Sequence, residues 1–180
     1  MLLTLYHTSD QIIKDPDIFH GRKNADFGQG FYLTPDIEFS RRWAFKDSYI
    51  NKYELDTTGL SVKRFQRDRE WFDYIFNNRN LTDGLNEDVI EGPIANDTIF
   101  DTLGIISSGY LKPEDAVKLL LIGPEYTQVV IKTPKARANL KWIDAFKVDA
   151  TDQRQKEEEE YLILLAQTLE QIQRSNEEGE

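Results

Sequence analysis

Read for the alternation of apolar and polar positions, the chain opens on a short strand, Leu2-Leu3-Thr4-Leu5-Tyr6. It ends at the polar His7-Thr8-Ser9-Asp10. Residues 11–30 carry Pro16 in their first half and Gly28 and Gly30 at their close, and predict a loop entering the strand Phe31-Tyr32-Leu33. Thr34 is expected to cap a helix with Pro35 at its first position, Ile37, Arg41 and Ala44 on one face and Ser40 beside Trp43 on another. The alternation Tyr49, Asn51, Tyr53, Leu55 predicts a half-exposed strand. Trp71, Phe72, Ile75 and Phe76 then fall at helical spacing within 68–78, as core aromatics do.

Further helices are expected from Asn96 or Asp97 through Leu103, and from Pro113 with Ala116, Val117 and Leu120 inward. Thr127 to Thr133 alternates again, and Leu140 to Val148 contains a last strand. Strands and helices mix without a repeating βα rhythm and without an internal repeat, which predicts an α+β fold. From Gln153 the chain is rich in Glu and Gln, with Leu162, Leu165, Leu169 and Ile172 in a 3-4-3 spacing. This predicts an amphipathic helix docked on the core or, through residues 156–174, on a partner or second copy, with a frayed tail from Ser175. The expected division is therefore 1–150 as one domain and 151–180 as a charged helix and tail.

Composition narrows the chemistry. The 180 residues suit one core, and 39% hydrophobic residues are too many for a disordered chain. No apolar run is long enough to span a bilayer and the N-terminus reads as no export signal, so no membrane partner is expected and the cytoplasm is the expected location. The absence of cysteine removes disulfides, thiolate nucleophiles and Cys-based metal sites, and fits a reducing compartment. With His7 and His20 as the sole histidines, a multi-histidine metal site is not expected either. A net charge of −10 opposes non-specific binding to a phosphate backbone; the locally basic segments Lys63 to Arg69 and Lys132 to Lys141 read as solvated faces.

Three segments carry a resemblance: Leu5-Tyr6-His7-Thr8-Ser9, then Asp26-Phe27-Gly28-Gln29-Gly30-Phe31-Tyr32-Leu33-Thr34, then Thr127-Gln128-Val129-Val130-Ile131. They resemble the diphtheria-toxin-like branch of the ADP-ribosyltransferases, which includes the poly(ADP-ribose) polymerases, and a related bacterial family of uncharacterised domains. The match continues at Ser40 and Trp43, and by order of elements it spans residues 2 to 150. The resemblance implies the ADP-ribosyltransferase fold, two small packed β-sheets with flanking helices. It also implies NAD as substrate without a metal. His7 would hold the adenosine-side ribose, with Thr8 beside it. Tyr32 would pack on the nicotinamide ring, with Gly30 and Phe31 leading into its strand. Ser40 would bond the carboxamide and Trp43 would stack on the other face of the nicotinamide. Gln128 would occupy the place of the family's glutamate. Arg22, in the loop between the first two segments, would pair with the NAD pyrophosphate.

These residue types suit the reaction. Breaking the nicotinamide–ribose bond develops positive charge on the ribose, so a site must hold the nicotinamide between flat side chains and offer an acceptor near the reacting ribose. Singly, each residue also fits a structural role: a core Tyr, a core Trp, a capped strand-end His, an edge-strand Gln. The departure lies at Gln128, whose amide oxygen accepts a hydroxyl but carries no charge and is no general base. Three readings stay open: slower transfer limited to mono-ADP-ribosylation, an assisting acid from elsewhere, with Asp97 the candidate, or a domain that binds NAD without reacting it. Asp97 equally reads as a helix cap. On sequence alone, Gln128→Glu is expected to speed NAD cleavage. The expected function is mono-ADP-ribosyl transfer from NAD to an unidentified protein or nucleic-acid acceptor, with NAD hydrolysis or a silent NAD- or partner-binding module as alternatives.

Overall fold

The computed structural model describes residues 1–79, 84–95, 115, 118–119, 121–150 and 152–177. The expected helix from Asn96, and Asp97 itself, lie outside the described residues; of the helix expected from Pro113, Asp115, Lys118 and Leu119 are helical and Leu119 is buried, while Pro113, Ala116, Val117 and Leu120 lie outside the described residues. The chain divides into one unit of Met1–Ile94 with Tyr126–Thr151 and a second of Ala95–Glu125 with Asp152–Glu180.

The first unit is α+β. Its elements in chain order are β1 (Leu2–Ser9), β2 (Phe31–Leu33), α1 (Ile37–Arg42), β3 (Ser48–Asp56), β4 (Val62–Arg64), α2 (Arg69–Arg79), β5 (Val89–Pro93), β6 (Thr127–Ile131), α3 (Pro134–Ala138) and β7 (Leu140–Val148). They build a three-stranded sheet β1-β3-β7 and a four-stranded sheet β2-β6-β5-β4. Every pairing is antiparallel except β4 with β5, which run parallel and are joined through α2. Leu5, Tyr53, Leu55 and Leu140 from the first sheet meet Phe31, Leu33, Val89, Val129 and Ile131 from the second in one buried cluster. Two small sheets, each apolar on one face, cover each other in this way.

Being central, β3 is more buried than its alternation suggests: Ile50, Tyr53, Leu55 and also Asn51 are 0% exposed. A buried amide needs partners. Asn51 finds them in the loop after β1, accepting from the Ile13 N–H at 2.8 Å and donating to the Gln11 carbonyl at 2.9 Å. Tyr53 donates to the Ile13 carbonyl. The loop is thereby pinned to the sheet that carries His7.

Helix α1 starts two residues later than expected. Asp36 is the cap, its carboxylate accepting from the Glu38 and Phe39 N–H groups at 2.9 and 3.1 Å. Thr34 instead donates to the Thr127 carbonyl at 2.9 Å, tying the end of β2 to the start of β6. A carboxylate at a helix N-terminus outcompetes a threonine already engaged by a strand.

Asp88 anchors the far end of the second sheet. It accepts from Thr133 at 2.7 Å, from the Ser61 N–H at 2.9 Å and from Lys135 at 3.1 Å, and the first two hold its carboxyl well below the ordinary value of 3.8. A lowered folded-state pKa stabilises the fold above the unfolded value, and that contribution is lost as pH falls through the folded one. Asp88→Ala is expected to cost about 1–3 kcal/mol at neutral pH, the loss of hydrogen bonds to a charged acceptor. In denaturant melts the gap to the wild type should narrow below about pH 4. A gap that stays constant down to pH 2 would refute this role.

In the second unit, α4 (Gln153–Glu177) forms as expected, but its apolar positions divide: Ile172 is 4% exposed, whereas Leu162, Ile163 and Leu164 are 62, 58 and 43% exposed. The helix holds through Glu177, so the tail beginning at Ser175 is helical for three residues more. Among the described residues no helix is long and apolar enough to cross a membrane.

Candidate functional site

The three segments singled out in the sequence meet at one end of the first unit. Tyr6 and Thr34 form an isolated antiparallel bridge, with N–H to carbonyl distances of 2.8 and 2.9 Å, so the end of β1 lies against the end of β2. β2 pairs with β6, Tyr32 opposite Val130 and Leu33 opposite Val129. Directly opposed residues share a face and alternate residues return to it, so Tyr32 and Gln128 lie on the same face of the sheet.

His7 belongs to the other side. Its ring packs 4.5 Å from the Phe31 ring, and its Nδ1 lies 2.7 Å from the Tyr32 carbonyl. A carbonyl only accepts, so Nδ1 carries the proton, and in the neutral ring Nε2 is then an acceptor. Burial lowers the His7 pKa, against the opposing effect of this hydrogen bond, and favours that neutral form. The hydrogen bond thus fixes the ring at the β1–β2 junction in one tautomer.

Tyr32 is fixed by its hydroxyl, which accepts from the Phe27 N–H at 3.0 Å and donates to the Gly28 carbonyl at 2.6 Å. Gly28 has φ 71°, a left-handed turn that glycine takes without strain. Gly30 has a different reason: a Cβ there would fall 2.5 Å from Val130 Cγ1 and 2.7 Å from the Ile131 carbonyl oxygen. The second glycine is required by the close approach of β6. Phe31, 8% exposed, is a core side chain set edge-on to Tyr53.

Ser40 is 2% exposed and joins α1 to β1, because Thr8 Oγ1 donates to the Ser40 carbonyl and lies 2.9 Å from Ser40 Oγ. The single Thr8 proton is committed to the carbonyl, so Ser40 donates across the pair and keeps lone pairs for a donor. Trp43, the C-cap of α1, is 49% exposed and meets Phe39 edge-on at 6.1 Å. Arg22 is exposed in the loop before β2, a loop that Gln29 braces by donating to the Phe19 and Gly21 carbonyls at 2.6 and 3.1 Å.

Gln128 is 8% exposed, opposite Gly92 on β5. Its Nε2 donates to Asp26 Oδ2 at 3.3 Å and to the Pro93 carbonyl at 3.4 Å, which also takes the Trp71 indole N–H at 3.0 Å. No periodicity in the sequence marks Asp26, a loop aspartate 102 positions from Gln128, as a site residue. Its one visible signal is its place at the head of the Asp26-Phe27-Gly28-Gln29-Gly30 run. Among the described residues no group of His, Asp and Glu is arranged to hold a metal ion.

No curated protein matches the chain significantly. A family model described as "Protein of unknown function (DUF3990)" matches residues 3–142, from β1 into β7, and the chain belongs to that DUF3990 family.

Proposed function

We propose that the protein cleaves the nicotinamide–ribose bond of NAD and transfers ADP-ribose to a protein or nucleic-acid acceptor, one unit per event, on an ADP-ribosyltransferase-like fold spanning residues 1–150. The reading includes a cytoplasmic setting and a charged C-terminal helix outside the reacting domain. The observation that carries it is the meeting of distant segments: the Tyr6–Thr34 bridge and the Thr34–Thr127 and Thr8–Ser40 hydrogen bonds hold β1, β2, β6 and α1 together, with Tyr32 and Gln128 on one face of the second sheet and His7 packed on Phe31 at the other.

The donor set fits NAD. Ser40 Oγ has lone pairs for the carboxamide N–H, Tyr32 and Trp43 offer ring faces for the nicotinamide, and neutral His7 presents an accepting Nε2 to a ribose hydroxyl. Gln128 offers Oε1 to the ribose next to the bond that breaks. Arg22, exposed in the loop, would meet the pyrophosphate. When that bond breaks, its electron pair leaves on the nicotinamide nitrogen, which becomes neutral, and a lone pair of the acceptor forms the new bond at ribose C1′ while the acceptor proton passes to water.

Incubation with NAD labelled in its adenylate half, with and without cell lysate, tests the proposal. Label carried onto a macromolecule together with free nicotinamide is expected. Free ADP-ribose alone would make the protein an NAD hydrolase, and saturable NAD binding with neither product would make it a silent binding module; either overturns transfer.

A further inference from the structure

The neighbours of Gln128 explain its amide. Both groups within reach of its terminal nitrogen, Asp26 Oδ2 and the Pro93 carbonyl, are acceptors, so the NH₂ must face them and Oε1 must face away. A carboxylate at this position would confront two acceptors with none of the donors they need, and would stand beside a second carboxylate.

Asp26 is itself held. Its carbonyl accepts from Asn78 Nδ2 at 3.0 Å, the next residue, Phe27, gives its N–H to the Tyr32 hydroxyl, and the Phe27 carbonyl accepts from Lys132. The loop that carries the acid is therefore fastened to α2, β2 and the end of β6.

We infer that Asp26 is the positioning residue of the NAD-cleaving site: it locks the Gln128 amide with Oε1 toward the ribose and supplies, one residue removed, the negative charge that Gln128 lacks. The inference rests on the proposed NAD cleavage. It replaces Asp97 as the assisting acid with a group in contact with Gln128. It also reverses the expectation that Gln128→Glu alone speeds cleavage.

The test is an exchange of amide and carboxylate between the two positions, read by nicotinamide release from NAD. Asp26→Asn keeps size and removes charge, and is expected to lower kcat about 10-fold or more with KM changed by less than about threefold. Gln128→Glu alone sets two carboxylates together and is also expected to be slow. Asp26→Asn/Gln128→Glu restores one amide against one carboxylate, leaving the Pro93 carbonyl to its Trp71 donor, and should raise kcat about 10-fold or more above that of Gln128→Glu, a strong departure from additivity. Should Asp26→Asn fail to fold, the comparison of Gln128→Glu with the double variant carries the test alone. Additive losses, or a double variant no faster than Gln128→Glu, would overturn the role of Asp26 while leaving NAD cleavage by the wild type standing. A wild type that releases no nicotinamide would overturn both.

Discussion

Gln128→Ala is expected to reduce nicotinamide release from NAD by about 10²–10³-fold, the usual loss when one preorganised acceptor or donor is removed from a developing charge. NAD affinity should fall far less, because the contact strengthens as charge appears on the ribose. The substitution also empties space in a residue that is 8% exposed, so a melt must show the variant folded before its rate is read. Pro93 keeps the Trp71 indole as a donor, which limits the structural damage. Steady-state release measured beside equilibrium NAD titration separates the two effects. A folded variant with full activity would make Gln128 a packing residue.

The second large effect is expected at the two ring faces, and there stability and binding should separate. Trp43→Ala removes a side chain that is 49% exposed, so it should cost little stability while weakening NAD binding by about 1–3 kcal/mol through lost stacking and apolar contact. Tyr32→Ala should weaken NAD binding by a similar amount, about 1–3 kcal/mol, and also lower the melting temperature, because its hydroxyl ties Phe27 and Gly28 into the turn. Tyr32→Phe unties the turn and keeps the ring, so it should lose stability and retain most affinity. Calorimetric NAD titration of folded variants, with their melts, gives the pattern. Unchanged affinity in Trp43→Ala and Tyr32→Ala would assign both rings to packing alone.

Much of the framework was legible because it is local. β1, β2, β6 and β7 are short runs in which apolar side chains alternate or cluster, and two-residue periodicity needs no distant information. The Trp71 and Ile75 spacing predicted α2 for the same reason, and both side chains are buried. What escaped was set by neighbours far along the chain. β4 is three residues, Val62-Lys63-Arg64, two of them cationic, and it becomes a strand only by lying parallel to β5 across the α2 crossover. The cap of α1 moved from Thr34 to Asp36 because Thr34 is held by the Thr127 carbonyl, 93 positions away. β3 read as half-exposed because nothing in its own sequence tells that strands cover both of its edges.

The candidate site divides along the same line. Residue types at His7, Tyr32, Ser40, Trp43 and Gln128 stood out by resemblance, and the topology gathers their segments. The glycine pair was visible as a pair, yet the two glycines serve different ends, a left-handed turn at Gly28 and the approach of β6 at Gly30. The partner of Gln128 was not visible, because a contact across 102 positions leaves no periodic trace.

A crystal structure of the protein with NAD, or with an NAD analogue resistant to cleavage, decides whether these side chains form an NAD site. The nicotinamide ring is expected between Tyr32 and Trp43, its carboxamide on Ser40, His7 Nε2 on the adenosine-side ribose, and Gln128 Oε1 on the nicotinamide-side ribose with its amide nitrogen still on Asp26. NAD bound with its nicotinamide away from Tyr32 and Gln128, or no NAD bound at millimolar concentration, would contradict that site.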